Sequence, residues 1–130
     1  MDIGKALGRP IPFASLLGIQ RIEHGSGRAV LEVALVPDLL NSAGVAHGGV
    51  TMTILDIAMS VAARTKDPNG KFAVTVEMKT SFFAPARGKL RVEADCLQLG
   101  GSIAFCEGEA RDESGAVVAR ATGTFMVRRE

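Results

Sequence analysis

Residues 41–56 read NSAGVAHGGVTMTILD, the densest run of groups in this chain that could act on a substrate. His47 stands before Gly48 and Gly49, and Asp56 is a lone carboxylate inside an apolar run that includes Val50, Met52, Ile54, Leu55, Ile57 and Ala58. Glycine has no side chain to hold a ligand away from the backbone, and the first N–H groups of a helix have no intrahelical partners. A helix starting at Gly48 therefore offers unpaired amides and the positive end of its dipole, which together stabilise a carbonyl oxygen as it gains negative charge. The Asp56 carboxylate is the other half of this run, a second polar group set apart from the amides on the same segment.

Spacing tests whether the two halves can cooperate. Gly49, Thr53, Asp56, Ser60 and Arg64 recur at steps of four, three, four and four, which puts them on one stripe of a helix. A polar stripe ordinarily faces water, so periodicity alone makes Asp56 a plain exposed helix residue, and glycines at a helix start also serve close packing. Gly48 and Asp56 lie about 12 Å apart along the axis at about 1.5 Å of rise per residue. One substrate carbonyl cannot be served by both ends of that span within one helix. Joint action requires the carboxylate of one copy beside the amide of another whose helix runs antiparallel, as in a two-fold dimer.

The elements that must position these groups follow from pattern. PIPFASLLG, residues 10–18, reads as a short helical segment opened by proline and stopped by Gly18. IQRIEHGSGRAVLEVALVP gives two strands about a turn at Gly25-Ser26-Gly27, ended by Pro37. From Gly48 to Lys66 the chain reads as one long helix, apolar on most sides and so largely enclosed by other elements, until Asp67-Pro68-Asn69-Gly70 ends it. KFAVTVEMKTSFF then alternates Phe72, Val74, Val76 and Met78 against Thr75, Glu77 and Lys79, which predicts one buried face. KLRVEADCLQLG and SIAFCEGEARDES pair about Gly100-Gly101, and GAVVARATGTFMVRR closes the set. Two strands, one long helix and four strands make an α+β protein, an antiparallel sheet curled around a single helix, with no βαβ alternation of a parallel nucleotide-binding sheet.

Composition narrows the function classes. The 130 residues suit a single domain spanning 1–130. A formal net charge of +1, no Trp, no Tyr and six Phe argue against nucleic-acid binding, and no apolar run reaches the length of a membrane span. Lys5 and Arg9 precede a stretch broken by Pro10 and Pro12, a poor signal peptide. Cys96 and Cys106, with only His24 and His47 besides, show neither metal-ligand spacing nor a disulfide framework. They are expected to be free thiols in a cytoplasmic protein, with no metal bound.

Asn41, Gly44, His47, Gly48, Gly49 and Asp56, together with PFASLLGI before the first strand and VTVEMKTSFFAPARGKL after the helix, resemble the hotdog-fold acyl-CoA thioesterases of the PaaI-like, phenylacetic acid degradation branch. The resemblance covers nearly the whole chain and implies about six antiparallel strands around the helix. It implies that Asp56 is the general base or nucleophile, that the Gly48 amide polarises the thioester oxygen, and that His47 and Asn41 help place water, carbonyl or leaving group. It further implies that the Thr75 hydroxyl assists from the partner subunit, and that the antiparallel dimer doubles into a homotetramer. The pantetheine arm of coenzyme A would lie between subunits, with its phosphates on Arg87, Lys89, Arg128 or Arg129. Gly49, Val50 and Phe82 are candidates for contact with substrate, and the acyl pocket is expected between the PFASLL segment and the Val50–Ile54 turn. The reaction implied, an acyl-CoA giving free acid and coenzyme A, needs no cofactor.

Two other readings share the fold. One is a non-catalytic dimer that binds acyl-CoA as a sensor or carrier, since a fold alone does not set function. The other is a hydratase or dehydratase of enoyl thioesters, a branch in which a histidine follows the aspartate on the helix; here His47 precedes Asp56 by nine residues.

Overall fold

A computed structural model describes residues 10–130; Lys5 and Arg9, which bear on the targeting expectation, lie outside the described residues. Helix α1 (Pro12–Leu17) starts on its proline and stops at Gly18, whose φ of 77° suits a residue without a Cβ. A hairpin follows, β1 (Gln20–Gly25) and β2 (Arg28–Ala34), then a 3₁₀ turn (Pro37–Leu39) and helix α2 (Gly48–Lys66). Four strands complete the chain: β3 (Phe72–Phe82), β4 (Lys89–Gly100), β5 (Ile103–Arg111) and β6 (Val117–Arg128).

All six strands form one antiparallel sheet in the order β1-β2-β4-β5-β6-β3. Helix α2 thus carries the chain from one side of the sheet to the far edge, where β3 pairs only with β6. This is the helix-in-a-sheet arrangement read from the sequence. Along α2, Ile54, Leu55, Ala58, Met59, Ala62 and Ala63 are fully buried and share the core with Leu31, Val33, Leu90, Val92 and Phe125. Burying each large aliphatic side chain contributes on the order of 1.5–3 kcal/mol, so this face holds the helix on the sheet. Gly108 and Gly123 let it settle closely: a Cβ at Gly108 would lie 3.1 Å from a Leu55 methyl, and one at Gly123 only 2.8 Å from the Phe125 ring.

Two expectations are corrected here. The helix is not enclosed on most sides: Thr53, Asp56, Ser60 and Arg64 are half-buried and Gly49 and Met52 exposed, so the polar stripe opens to the outside of the protomer. The buried face of β3 is also not the one that simple alternation predicts. Thr75 pairs with Phe125 and Glu77 with Thr124, leaving Val76 as an extra residue in a β-bulge. A one-residue slip exchanges the faces of a strand. Ala73 and Thr75 before the bulge, and Met78 and Thr80 after it, share a face with buried Val127, Phe125 and Ala121 and so point toward α2. Val74 and Val76 are left 48% and 58% exposed on the edge strand.

Candidate active site

The helix start is built by its own sequence. His47, at φ −62° and ψ 135°, is the N-cap, and its Nδ1 accepts a hydrogen bond from the Gly49 amide at 2.8 Å. An Nδ1 that accepts leaves the neutral ring's proton on Nε2, free to donate elsewhere. The cap consumes one of the orphan amides, while the Gly48 N–H donates to no acceptor among the described residues. Of the two glycines singled out from the sequence, Gly48 therefore offers the open donor, and Gly49 serves the cap.

Asn41 holds the preceding loop. Its Oδ1 accepts from the Ala43 and Val45 amides at 2.9 and 3.3 Å, and its own backbone N–H donates to the Val45 carbonyl at 2.8 Å. These bonds satisfy its carbonyl oxygen and leave the side-chain NH₂ to face outward. The loop is fixed to its neighbours through the Ala46 N–H, which donates to the Ala86 carbonyl between β3 and β4 at 2.9 Å, and the His47 N–H, which donates to that of Leu39 in the 3₁₀ turn at 3.0 Å. Phe82, 52% exposed, lays its ring edge where a Cβ on Gly48 would meet it at 3.5 Å, so that ring forms a wall beside the open amide.

Two turns on, the Thr75 Oγ1 donates to Asp56 Oδ1 at 2.6 Å. The β-bulge at Val76 sets the register that turns this hydroxyl toward the helix. A neutral donor on one oxygen orients the carboxylate and leaves its other oxygen open for water or a thioester carbon. Thr75 therefore accompanies the Asp56 of its own chain. Thr53 and Ser60 bond back to the Gly49 and Ile57 carbonyls, a local use of their hydroxyls that points to no ligand.

The remaining candidates divide. Val50 is half-buried in the first turn of α2. Arg87 is exposed beside Ala86, within the loop that supports Ala46, and so stands at the rim of the helix start. Lys89 instead forms an ion pair with Glu32 at 3.7 Å. Arg129 is tied to Asp67, Ser102 and the Gly101 carbonyl, and Arg128 approaches Glu130, both away from the helix start of their own chain. Among the described residues no cluster of three or more His, Cys, Asp and Glu stands ready for a metal, and no helix is long and apolar enough to cross a membrane.

A cavity of about 300 Å³ opens beside the second half of α2, lined by Pro10 and Ile11, by Ile57, Ser60, Val61 and Arg64, and by Lys71, Phe72 and Ala73. This cavity lies past Asp56, beyond the first turns of the helix where the sequence places the acyl pocket. Sequence reasoning named none of the β3 residues that wall it. Its signal was present in the stripe that continued past Asp56 to Ser60 and Arg64.

Comparison with known proteins agrees with the fold. The family model described as the thioesterase superfamily matches residues 43–119. Human acyl-coenzyme A thioesterase 13 is 26% identical over 107 residues, covering 80% of this chain and 76% of that protein. A variant of the phenylacetic acid degradation protein PaaI from Thermus thermophilus superposes with a TM-score of 0.81 at 29% identity, over 89% of this chain and 98% of that one. PaaI from Escherichia coli, at 23% identity, shares the fold with a TM-score of 0.87 over 97% and 91% of the two chains.

Proposed function

Because the chain belongs to the thioesterase superfamily and is a thioester hydrolase, we propose that it hydrolyses acyl-CoA thioesters at sites shared by two copies, Asp56 and Thr75 from one and Gly48 from the other. The observation that carries this reading is the pairing of an open Gly48 amide with an oriented carboxylate on the same helix, too far apart to serve one carbonyl within a single chain. The exposed edge of β3 supports the dimer. An 11-residue edge strand with Val74 and Val76 in the open is an unpaired template that pairing with a second β3 would cover. A two-fold axis there would run the two α2 helices antiparallel. Doubling of the dimer into a homotetramer is part of the same proposal.

In the proposed reaction, Asp56 takes a proton from water as the oxygen adds to the thioester carbon, and the charge that builds on the carbonyl oxygen is met by the Gly48 N–H. Collapse breaks the carbon–sulfur bond, giving the free acid and the coenzyme A thiolate, which leaves readily. Direct attack by Asp56 would instead form a mixed anhydride that water then opens, with the same products. The His47 Nε2–H and the Asn41 NH₂ stand as further donors at the Gly48 end, and Phe82 and Val50 as its apolar wall. The Thermus relative, a phenylacetic acid degradation protein, supports aryl-acetyl groups, with other aromatic and medium-chain acyl groups within the same proposal. The two free thiols fit a reducing, cytoplasmic setting.

The test is release of free thiol from phenylacetyl-, hydroxybenzoyl- and straight-chain acyl-CoAs by the wild type and by Asp56→Asn. Loss of a positioned general base should lower kcat by about 10²–10⁴-fold with the fold and assembly intact. Full activity in Asp56→Asn would remove the carboxylate from the mechanism, and binding of acyl-CoA without turnover by the wild type would favour the sensor reading.

A further inference from the structure

Away from the proposed site, the only two cysteines of the chain meet. Cys96 on β4 and Cys106 on β5 are direct partners in the ladder, on the face of the sheet that also carries buried Val92, Ala94, Ala104 and Ala110. The Cys96 N–H donates to the Gly27 carbonyl at 2.8 Å, on the β2 side of its strand. In an antiparallel sheet, a residue bonded to one neighbouring strand faces the other in a non-hydrogen-bonded pair, with Cα atoms about 4.5 Å apart and side chains drawn together. A disulfide needs Cα atoms about 4.4–6.8 Å apart, so the ladder already supplies the spacing. The sulfurs are in contact as well. The Cys106 thiol is hydrogen-bonded to that of Cys96, whose S–H donates in turn to the Gln98 carbonyl at 3.6 Å.

We propose that Cys96 and Cys106 form a redox modification site, closed into a reversible cross-strand disulfide when the protein meets a low-molecular-weight disulfide. Nothing in this depends on hydrolysis at Asp56. The Cys96 sulfur attacks one sulfur of the small disulfide and expels the first thiol; the Cys106 sulfur then attacks the Cys96 sulfur of the mixed disulfide and expels the second. Two thiols of the chain are oxidised, the small disulfide is reduced to two thiols, and each leaving thiolate takes up the proton that an attacking thiol gives up. Access sets the order. Cys96 is 6% exposed and stands beside Leu97, the extra residue of the bulge that interrupts the β4–β5 ladder, whereas Cys106 is 2% exposed. Burial and the neighbouring thiol push the Cys106 thiol up, so it reacts only where its target is held beside it, in the second, intramolecular step. Buried thiols react slowly and a reducing pool keeps such a pair open, so the bond marks an oxidising challenge. Once formed, it ties β4 to β5 near the last turn of α2, where the Lys66 stem and the Cys96 Cβ both lie against Gly27.

The test incubates the folded wild type with oxidised glutathione, then denatures it, titrates its free thiols and measures the intact mass. The chain should lose both thiols and the mass of two hydrogens, carry no glutathione, and regain both thiols with dithiothreitol. Cys106→Ser, which lacks the second sulfur, should stop at the mixed disulfide and carry one glutathione on Cys96. Two thiols that persist in the folded wild type, while the chain in urea oxidises readily, would overturn the proposal. So would glutathione held on both cysteines, or a bond between two chains. The wild type carries this test by itself, so it stands even where the variant fails to fold. Urea unfolding then reads the consequence: closing so short a loop should lower the unfolded population roughly 10- to 100-fold, and reduction should reverse the gain. An oxidised chain that unfolds more readily than the reduced one would show that the ladder does not fit the bond, and would contradict the geometry on which the proposal stands.

Discussion

The Thr75 hydroxyl donates to the Asp56 carboxylate at 2.6 Å, and this one bond fixes where the free oxygen of the carboxylate points. Thr75→Val keeps the shape and β-propensity of the side chain and removes the donor. A hydrogen bond to a charged group contributes about 1.5–3 kcal/mol, so kcat should fall by roughly ten- to a hundredfold with KM little changed. Steady-state kinetics on the best acyl-CoA checks this, and an unaltered kcat would show that Asp56 needs no such support. His24 gives a second test at this scale. Its Nδ1 is buried without a hydrogen-bond partner among the described residues, and burial first, then the charges of Arg64 and Arg21, hold its pKa below the ordinary 6.5. As pH falls below 6.5 the unfolded chain takes up this proton before the folded one does. Stability is therefore full above 6.5 and declines toward the lower, folded-state pKa. Urea unfolding of wild type and His24→Gln from about pH 8 to about pH 5 should show the wild type losing ground to the variant only in the acidic half of the range. Parallel curves would remove His24 from the pH dependence.

At the scale of elements, much was legible because single residues punctuate the chain. Pro12, Gly18, the Gly25-Ser26-Gly27 turn and Gly48 mark starts and stops that the structure keeps, and α2 runs over the Gly48–Lys66 span predicted for it. What the sequence hid were relations across strands. The bulge at Val76 depends on β3 pairing with β6, a strand that begins 35 residues after β3 ends at Phe82, so no local alternation could reveal that Thr75 faces the helix. Cys96 and Cys106, read as free thiols, lie directly opposite each other on β4 and β5, both buried, and burial with the neighbouring thiol pushes Cys106 well above its ordinary pKa. The helix was read as largely enclosed because its apolar positions outnumber the polar stripe, and that pattern does not say which flank the sheet leaves uncovered. The fit between α2 and the sheet is tested at Gly123, where a methyl group would press on the Phe125 ring at 2.8 Å and on the Met59 methyl at 3.3 Å. Overpacking of this kind costs about 1–3 kcal/mol. Gly123→Ala should lower the denaturation midpoint accordingly, and an unchanged midpoint would show that the ring yields freely.

For the whole molecule, the proposed thioester site has both of its halves on one chain, joined neither to the other. The resemblance supplied the roles of Asp56, Gly48, His47, Asn41 and Thr75; spacing along the helix supplied the need for a second copy; the open β3 edge supports where that copy would sit. The most direct measurement mixes two inactive variants. Asp56→Asn removes the carboxylate. Gly48→Pro removes the open N–H at the first helical position, where proline is tolerated and where His47 already has the extended backbone that a following proline requires. Thiol release is measured for each variant alone and for equal amounts co-assembled, with the assembly confirmed by sedimentation. Random pairing makes half of the dimers hybrid, each with one intact site and one lacking both groups, so about a quarter of wild-type activity should return. Confirmed hybrids that hydrolyse no more than the separate variants would contradict a site built from the Asp56 of one chain and the Gly48 of another.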